Sequence, residues 1–324
     1  MSYVICFCFF MIVMLLYFKV AIRYNIIDKP NERSSHSKNI IRGGGVIFLA
    51  ASFVALILYP DYWIFVLGTF TIGTISFIDD RITLSNKIRL LFHLTAVGLL
   101  FLELNVFQIF PIYITSTLFV FVIGTINAYN FMDGINGITG VYSLVVLGGL
   151  QYVNYKTTSF IEKDLIWLPI LASLVFLCFN FRKTARCFAG DVGSITIAFW
   201  ILFLLLKLII HTADVSYILF LLIYGLDAAT TVIFRAIRRE NIFEAHRSHF
   251  YQFLANEKRI SHLYVATGYG FVQLIVISLL VTLDRFSIGT VLVGIVIAAI
   301  LFISVRFAIE GRDVLLNSKE DEQI

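Results

Sequence analysis

Runs of about 20 mostly apolar residues constrain this chain more than any motif does. Inside lipid only a helix or a closed barrel satisfies the backbone, and about 20 helical residues cross the hydrocarbon. Eleven such runs can be read, near residues 3–22, 43–59, 61–78, 88–104, 109–126, 139–153, 165–180, 194–210, 214–233, 264–283 and 286–308. Of the 324 residues 59% are hydrophobic and 14% charged, whereas a soluble domain has about 45–50% and about 25%. A soluble globular enzyme, a coiled coil, a disordered chain and a disulfide scaffold are thereby excluded. The reading is an all-α integral membrane protein of about eleven transmembrane helices, one polytopic domain over residues 1–324, with no internal repeat.

The basic residues give it an orientation. With the amino terminus outside, 21 of the 25 Lys and Arg fall in cytoplasmic loops or the tail, and only Lys156, Lys163, Lys207 and Arg285 fall on the other side. That asymmetry is the positive-inside pattern, and it places the carboxyl terminus in the cytoplasm. It also explains the net charge of +4 without a nucleic-acid partner. Lys19 and Arg23 follow the first run instead of preceding it, so the pattern is not that of a cleavable signal. Cys6 and Cys8 are two residues apart and point to nearly opposite sides of a helix, so they cannot share a metal.

Polar chemistry is one-sided as well. Loops on the outer side are short, whereas the cytoplasmic stretches near 23–45, 79–89, 127–138, 181–194 and 234–263 hold nearly every cluster of carboxylate, histidine and asparagine. A transporter would place ionisable groups near the bilayer midplane. Here the helix interiors are nearly free of charge, with His93, Glu103 and Lys207 as the main exceptions, and Glu103 and Lys207 stand close enough to helix ends to snorkel. The alternative reading, a membrane transporter or lipid flippase with non-catalytic loops, would rest on His93 and Glu103 facing a central cavity.

Five stretches carry the chemistry. Arg33, His36 and Arg42, leading into Gly43-Gly44-Gly45, combine phosphate-binding side chains with backbone that a ligand can approach closely. Asp79-Asp80 end an apolar run, where like charge and the negative end of the helix dipole raise the pKa of one of them. Asn127 to Gly137 carries amides, one carboxylate and glycines but no Lys or Arg, and Asn130, Asp133 and Asn136 suit hydrogen bonds to a base or sugar. Gly190-Asp191-Val192-Gly193-Ser194 opens a helix, where backbone amides hold phosphate and a carboxylate shares Mg²⁺ with phosphate oxygens. His246, Arg247 and His249, with the histidines on one helical face, fit phosphate recognition better than a zinc site.

In this order and on one side of the membrane, the five stretches resemble the polyprenyl-phosphate N-acetylhexosamine-1-phosphate transferases, glycosyltransferase family 4, from about Asp28 to Gln252. His246 to Gln252 is similar to the branch that initiates O-antigen-type chains of bacterial lipopolysaccharide, and it lacks the three consecutive histidines of the peptidoglycan branch. Asn136 stands where the family commonly has Asp. The resemblance implies an enzyme of the bacterial inner membrane that transfers a sugar 1-phosphate from a UDP-N-acetylhexosamine to undecaprenyl phosphate and releases UMP. It implies Mg²⁺, or Mn²⁺ in its place, with Asp191 as ligand. It implies Asp79 or Asp80 as the group that deprotonates or orients the lipid phosphate. Asn130, Asp133 and Asn136 would contact the nucleotide, and His246, Arg247 and His249 the phosphates or amino sugar. Arg33, His36 and Arg42 would line the entrance. Whether the chain acts as a homodimer, and which sugar it takes, stay open.

Overall fold

The structure is a computed structural model, and residues 2–28, 40–241, 246–283 and 287–317 are described. Arg33 and His36 lie outside the described residues. The chain runs through α1 (Tyr3–Arg23), β1 (Ile27–Asp28), β2 (Ile40–Ile41), α2 (Val46–Leu58), α3 (Trp63–Asp79), α4 (Asn86–Glu103) and α5 (Val106–Ile109). It continues through α6 (Ile112–Phe131), α7 (Ile138–Lys156), α8 (Lys163–Asn180), α9 (Gly190–Thr212) and α10 (Leu222–Ile237). It ends with α11 (Phe250–Asn256), α12 (His262–Thr282), α13 (Ile288–Glu310) and α14 (Arg312–Leu316).

A helix lies over each of the eleven apolar runs. Among the described residues, eight helical stretches are both long and apolar enough to cross a membrane. The three others are shorter or more polar: α2 has 13 residues, or about 20 Å, while α4 carries Lys87, Arg89, His93 and Glu103 and α7 carries Gln151 and Asn154.

Helix α9 is the axis of the bundle. Its side chains are buried without a break from Val192 to Leu206, the signature of a helix apolar on all sides and wrapped by others. Phe65 of α3 stacks on Phe203 of α9 with ring centroids 4.0 Å apart, and Trp200 donates its indole N–H to the Leu165 carbonyl at 3.0 Å. Helix α13 is the opposite case, because only Val291, Arg306 and Glu310 are buried on it.

Alternate helix ends converge. Asp80, just after α3, bonds the first amides of α9, and Gly137, before α7, donates to Asn180 at the end of α8. Arg81 reaches the Tyr24 carbonyl after α1 at 3.0 Å. These bonds place the C-terminal ends of α1, α3, α6 and α8 on one face with the N-terminal ends of α2, α4, α7 and α9. The small antiparallel ribbon β1–β2 pairs Ile27 with Ile41, and Ile41 also bridges to Cys187. This face therefore holds four of the five stretches already.

Candidate functional site

Arg42 stands at the middle of the face because the backbone around it is pinned. Phe188 donates its N–H to the Ile41 carbonyl at 2.8 Å, while Gly44 and Gly45 donate to the carbonyls of Phe188 and Ala189 at 2.8 and 3.0 Å. The approach is so close that a Cβ on Gly45 would lie 1.9 Å from the Gly193 Cα, so no larger residue fits there. Gly190 adopts φ +70° beside Asp80, a conformation glycine takes without strain.

From that anchor the Arg42 guanidinium spans two carboxylates. Its Nε lies 2.8 Å from Asp80 Oδ1, and its Nη2 lies 3.9 Å from Asp191 Oδ1. Asp80 in turn accepts the backbone N–H groups of Asp191 at 3.1 Å and Val192 at 3.2 Å. It thus sits at the negative end of α3 and the positive end of α9 at once, and the second offsets the first. Two findings differ from the sequence reading. The α9 amides expected to hold phosphate are taken up by Asp80. And the adjacent acids diverge, since Asp79 accepts the Leu84 N–H at 2.7 Å and pairs with Arg89 at 3.1 Å. Burial, not Asp79, is what raises the Asp80 carboxyl, against the pull of Arg42 and the two amides.

Asp133 joins this cluster from the loop after α6. It is half-buried, and burial pushes its pKa up to about 7, reinforced by the negative charges of Asp191 and Asp80. Asn130 lies on the last turn of α6, not in a loop, and accepts the Ser194 hydroxyl at 2.7 Å. Asn136 is buried, and its amide N–H groups go to the carbonyls of Arg182 and Lys183 at 2.9 and 3.3 Å. Its oxygen is the atom it can offer a ligand.

The fifth stretch reaches the same face by a different route. Tyr251 donates its hydroxyl to the Phe131 carbonyl at 2.8 Å, which seats the start of α11 against the end of α6, just before the Asp133 loop. His246 and His249 precede α11 and are not on a helix, yet their rings lie 5.0 Å apart. His246 is pushed down to about 4, first by burial and then by His249, so it is neutral near pH 7. His249 is buried with its Nδ1 3.4 Å from Asp227 Oδ1, and Arg247 is exposed.

The residues that sequence reasoning missed hold the others in place. Asn180 accepts the Gly137 N–H at 2.6 Å and donates to the Cys187 carbonyl at 2.8 Å, tying the two loops together. Asp227 and Arg306 are buried charges in apolar runs, and a charge in such a run is itself a signal that a partner exists. By contrast His93 and Glu103 do not meet: ten residues apart on α4, they stand about 15 Å from each other.

No group of three His, Cys, Asp or Glu side chains that could hold a metal occurs among the described residues. Asp191 offers oxygen donors of the kind Mg²⁺ takes, since that ion uses one or two carboxylates and completes its shell with phosphate oxygens and water.

Residues 62–209 match the family model described as "Glycosyl transferase family 4". A Bacillus subtilis protein described as "Probable undecaprenyl-phosphate N-acetylglucosaminyl 1-phosphate transferase" is 24% identical over 258 residues, 72% of this chain and 70% of its own length. The undecaprenyl-phosphate alpha-N-acetylglucosaminyl 1-phosphate transferase of Salmonella typhi is 30% identical over 228 residues, covering 58% of this chain and 57% of that protein. A phospho-N-acetylmuramoyl-pentapeptide-transferase of Wolbachia is 25% identical over 52% of this chain and 60% of its own length. Against the last two the match spans a little over half of the relative.

Proposed function

We propose that the chain, whose residues 62–209 match the glycosyl transferase family 4 model, is a member of that family and transfers a sugar 1-phosphate from a UDP-N-acetylhexosamine to undecaprenyl phosphate, as the start of a cell-surface glycan such as O-antigen. The observation that carries the reading is the meeting of Arg42, Asp80 and Asp191, from three separate stretches, within 3.9 Å. Two carboxylates bridged by one guanidinium at a helix N-terminus form a preorganised field of the kind phosphoryl transfer uses.

In the reaction an oxygen of the lipid phosphate attacks the β-phosphorus of the donor. The bond from that phosphorus to the bridging oxygen breaks, and UMP leaves with the electron pair. Asp79 or Asp80 orients the lipid phosphate or takes its proton, and Arg42 faces the phosphates from the side of Asp191. Asp191 would hold Mg²⁺ or Mn²⁺, which would neutralise charge on the diphosphate when bound. Asn130, Asp133 and Asn136 meet the nucleotide, and His246, Arg247 and His249 meet the phosphates or the amino sugar. The positive-inside count supports a cytoplasmic site in an inner membrane, with the amino terminus outside.

The test is UMP release by washed membranes given undecaprenyl phosphate, MgCl₂ and a panel of UDP-N-acetylhexosamines. Release with one donor, abolished by EDTA and restored by Mg²⁺, is the expected result. No release with any donor from verified folded protein overturns the proposal.

A further inference from the structure

Helix α10 carries a carboxylate that no loop motif announces. Asp227 is fully buried in the stretch Val215–Ile237, and a carboxylate there persists only when its oxygens are hydrogen-bonded. Its Oδ1 accepts the Phe250 N–H at 2.9 Å and the Thr231 hydroxyl at 3.2 Å. Its Oδ2 accepts the Tyr269 hydroxyl at 2.6 Å and the Tyr251 N–H at 3.2 Å. The two amides open α11, so Asp227 caps the short helix whose preceding residue is His249.

That position fixes the histidine. Nδ1 of His249 lies 3.4 Å from Asp227 Oδ1. A carboxylate can only accept, so a hydrogen bond between the two requires the proton on Nδ1, whereas the Gln252 N–H that also approaches the ring requires Nδ1 bare. The other ring nitrogen, Nε2, faces away from Asp227, is buried and has no hydrogen-bond partner. Around the His249 ring stand those of His246, Tyr251 and Phe131, with centroids 5.0, 5.8 and 6.3 Å away, and Phe131 is two residues from Asp133.

A second buried charge braces the same segment. Arg306 of α13 donates to the Ser248 carbonyl at 3.0 Å and to the Thr231 hydroxyl at 2.9 Å, the same hydroxyl that donates to Asp227. It pairs with Glu310 one turn on. A helix that otherwise exposes its surface thus reaches inward at one basic residue to hold the peptide before His249.

We propose that Asp227 is a positioning residue of the transfer site: it holds His249 through Nδ1 so that Nε2 is presented to the nucleotide sugar, with Arg306 bracing the segment. The inference rests on the reading under Proposed function. Because Nε2 is buried, the His246 ring, partly exposed and 5.0 Å from that of His249, is required to move when the donor binds.

Two measurements on the full chain in nanodiscs test this. The first is a double-mutant cycle of Asp227→Asn and His249→Ala, read as kcat and KM for the UDP-sugar. Each single variant is expected to lower kcat/KM by about 10–100-fold, the usual effect of removing a carboxylate that orients a functional histidine. The double variant is expected to be no worse than His249→Ala by more than about 3-fold, since both changes act through one side chain. Multiplying losses overturn the proposal, as does an Asp227→Asn variant that only melts earlier while its folded fraction keeps wild-type kcat and KM. The second is the nitrogen-15 spectrum of labelled histidine in the wild type, which needs no variant to fold. A His249 signal protonated at Nδ1 is expected, and one protonated at Nε2 overturns the proposal. Absence of UMP release by the wild type with every donor overturns the transferase reading instead, and the histidine spectrum still decides whether Asp227 holds His249.

Discussion

Asp80 Oδ1 accepts the backbone N–H of Asp191 at 3.1 Å, so the acid at the end of α3 and the acid at the start of α9 form one unit. Removing either carboxylate has a different consequence. Asp191 caps nothing in the described bonds, whereas Asp80 holds two amides and Arg42. Asp191→Asn and Asp80→Asn are each expected to cut UMP release at least about 100-fold. Only Asp80→Asn is expected also to lower the melting temperature in detergent, by a few degrees, from the loss of the cap. Asp79→Asn, which frees Arg89, is expected to lose activity on the same scale while the protein still inserts. Near-normal turnover in all three would sink the assignment.

Asp133 sets a pH dependence. Its carboxyl is raised to about 7 in the folded protein, above about 3.9 in an unfolded chain. On the reaction, kcat/KM is expected to fall as pH drops through about 7 and the carboxylate takes its proton, and Asp133→Asn should lack that limb. On stability, the folded state binds the proton more tightly than the unfolded one. The contribution is therefore fully present below about pH 4 and declines as pH rises through about 7. Melting curves should show Asp133→Asn gaining on the wild type as pH rises over that window, and a constant gap would contradict the burial argument.

The meeting of α2 and α9 depends on two glycines. A Cβ on Gly45 would stand 1.9 Å from the Gly193 Cα, with backbone on both sides and nothing that can yield. Gly45→Ala is expected to destabilise by about 3 kcal/mol or more and to abolish transfer. Gly124→Ala on α6, where nothing lies within 4 Å, is expected to be neutral or to stabilise by up to about 1 kcal/mol. Thermal unfolding of the two variants beside the wild type checks the contrast.

Arg42 reaches Asp80 through Nε and Asp191 through Nη2, a span that a lysine ammonium cannot reproduce. Arg42→Lys is therefore expected to retain the fold yet lower kcat/KM by about 10-fold or more, with the loss growing as pH falls because the acids it supported are protonated more readily. A pH-independent effect would contradict this role.

Much of this was legible in the sequence, and what was not has physical causes. Apolar runs mark helices because lipid leaves the backbone no other choice, so all eleven runs carry a helix, although the run from 214 opens as a 3-10 helix over Val215–Leu221 and becomes α10 only at Leu222. Asp80, Asp191 and Arg42 were legible because charge at the end of an apolar run is unusual. Asn130 and Asn136 were legible as polar residues but not in their partners, since the bonds to Ser194 and to the Arg182 carbonyl span more than 40 residues of chain. Asp227 was readable as a lone carboxylate in an apolar run, but its link to His249 depends on how α10 and α11 pack. The divergence of Asp79 from Asp80 depends on the turn after α3, where the Leu84 amide and Arg89 capture one acid and α9 the other.

The central claim is that a phosphosugar, not a sugar, changes hands. A donor labelled at its β-phosphorus distinguishes the two directly. With UDP-N-acetylglucosamine and its relatives so labelled, the account predicts that the label moves to the solvent-extractable lipid in step with UMP release. Label remaining in the aqueous phase as UDP, while sugar appears on the lipid, would contradict it.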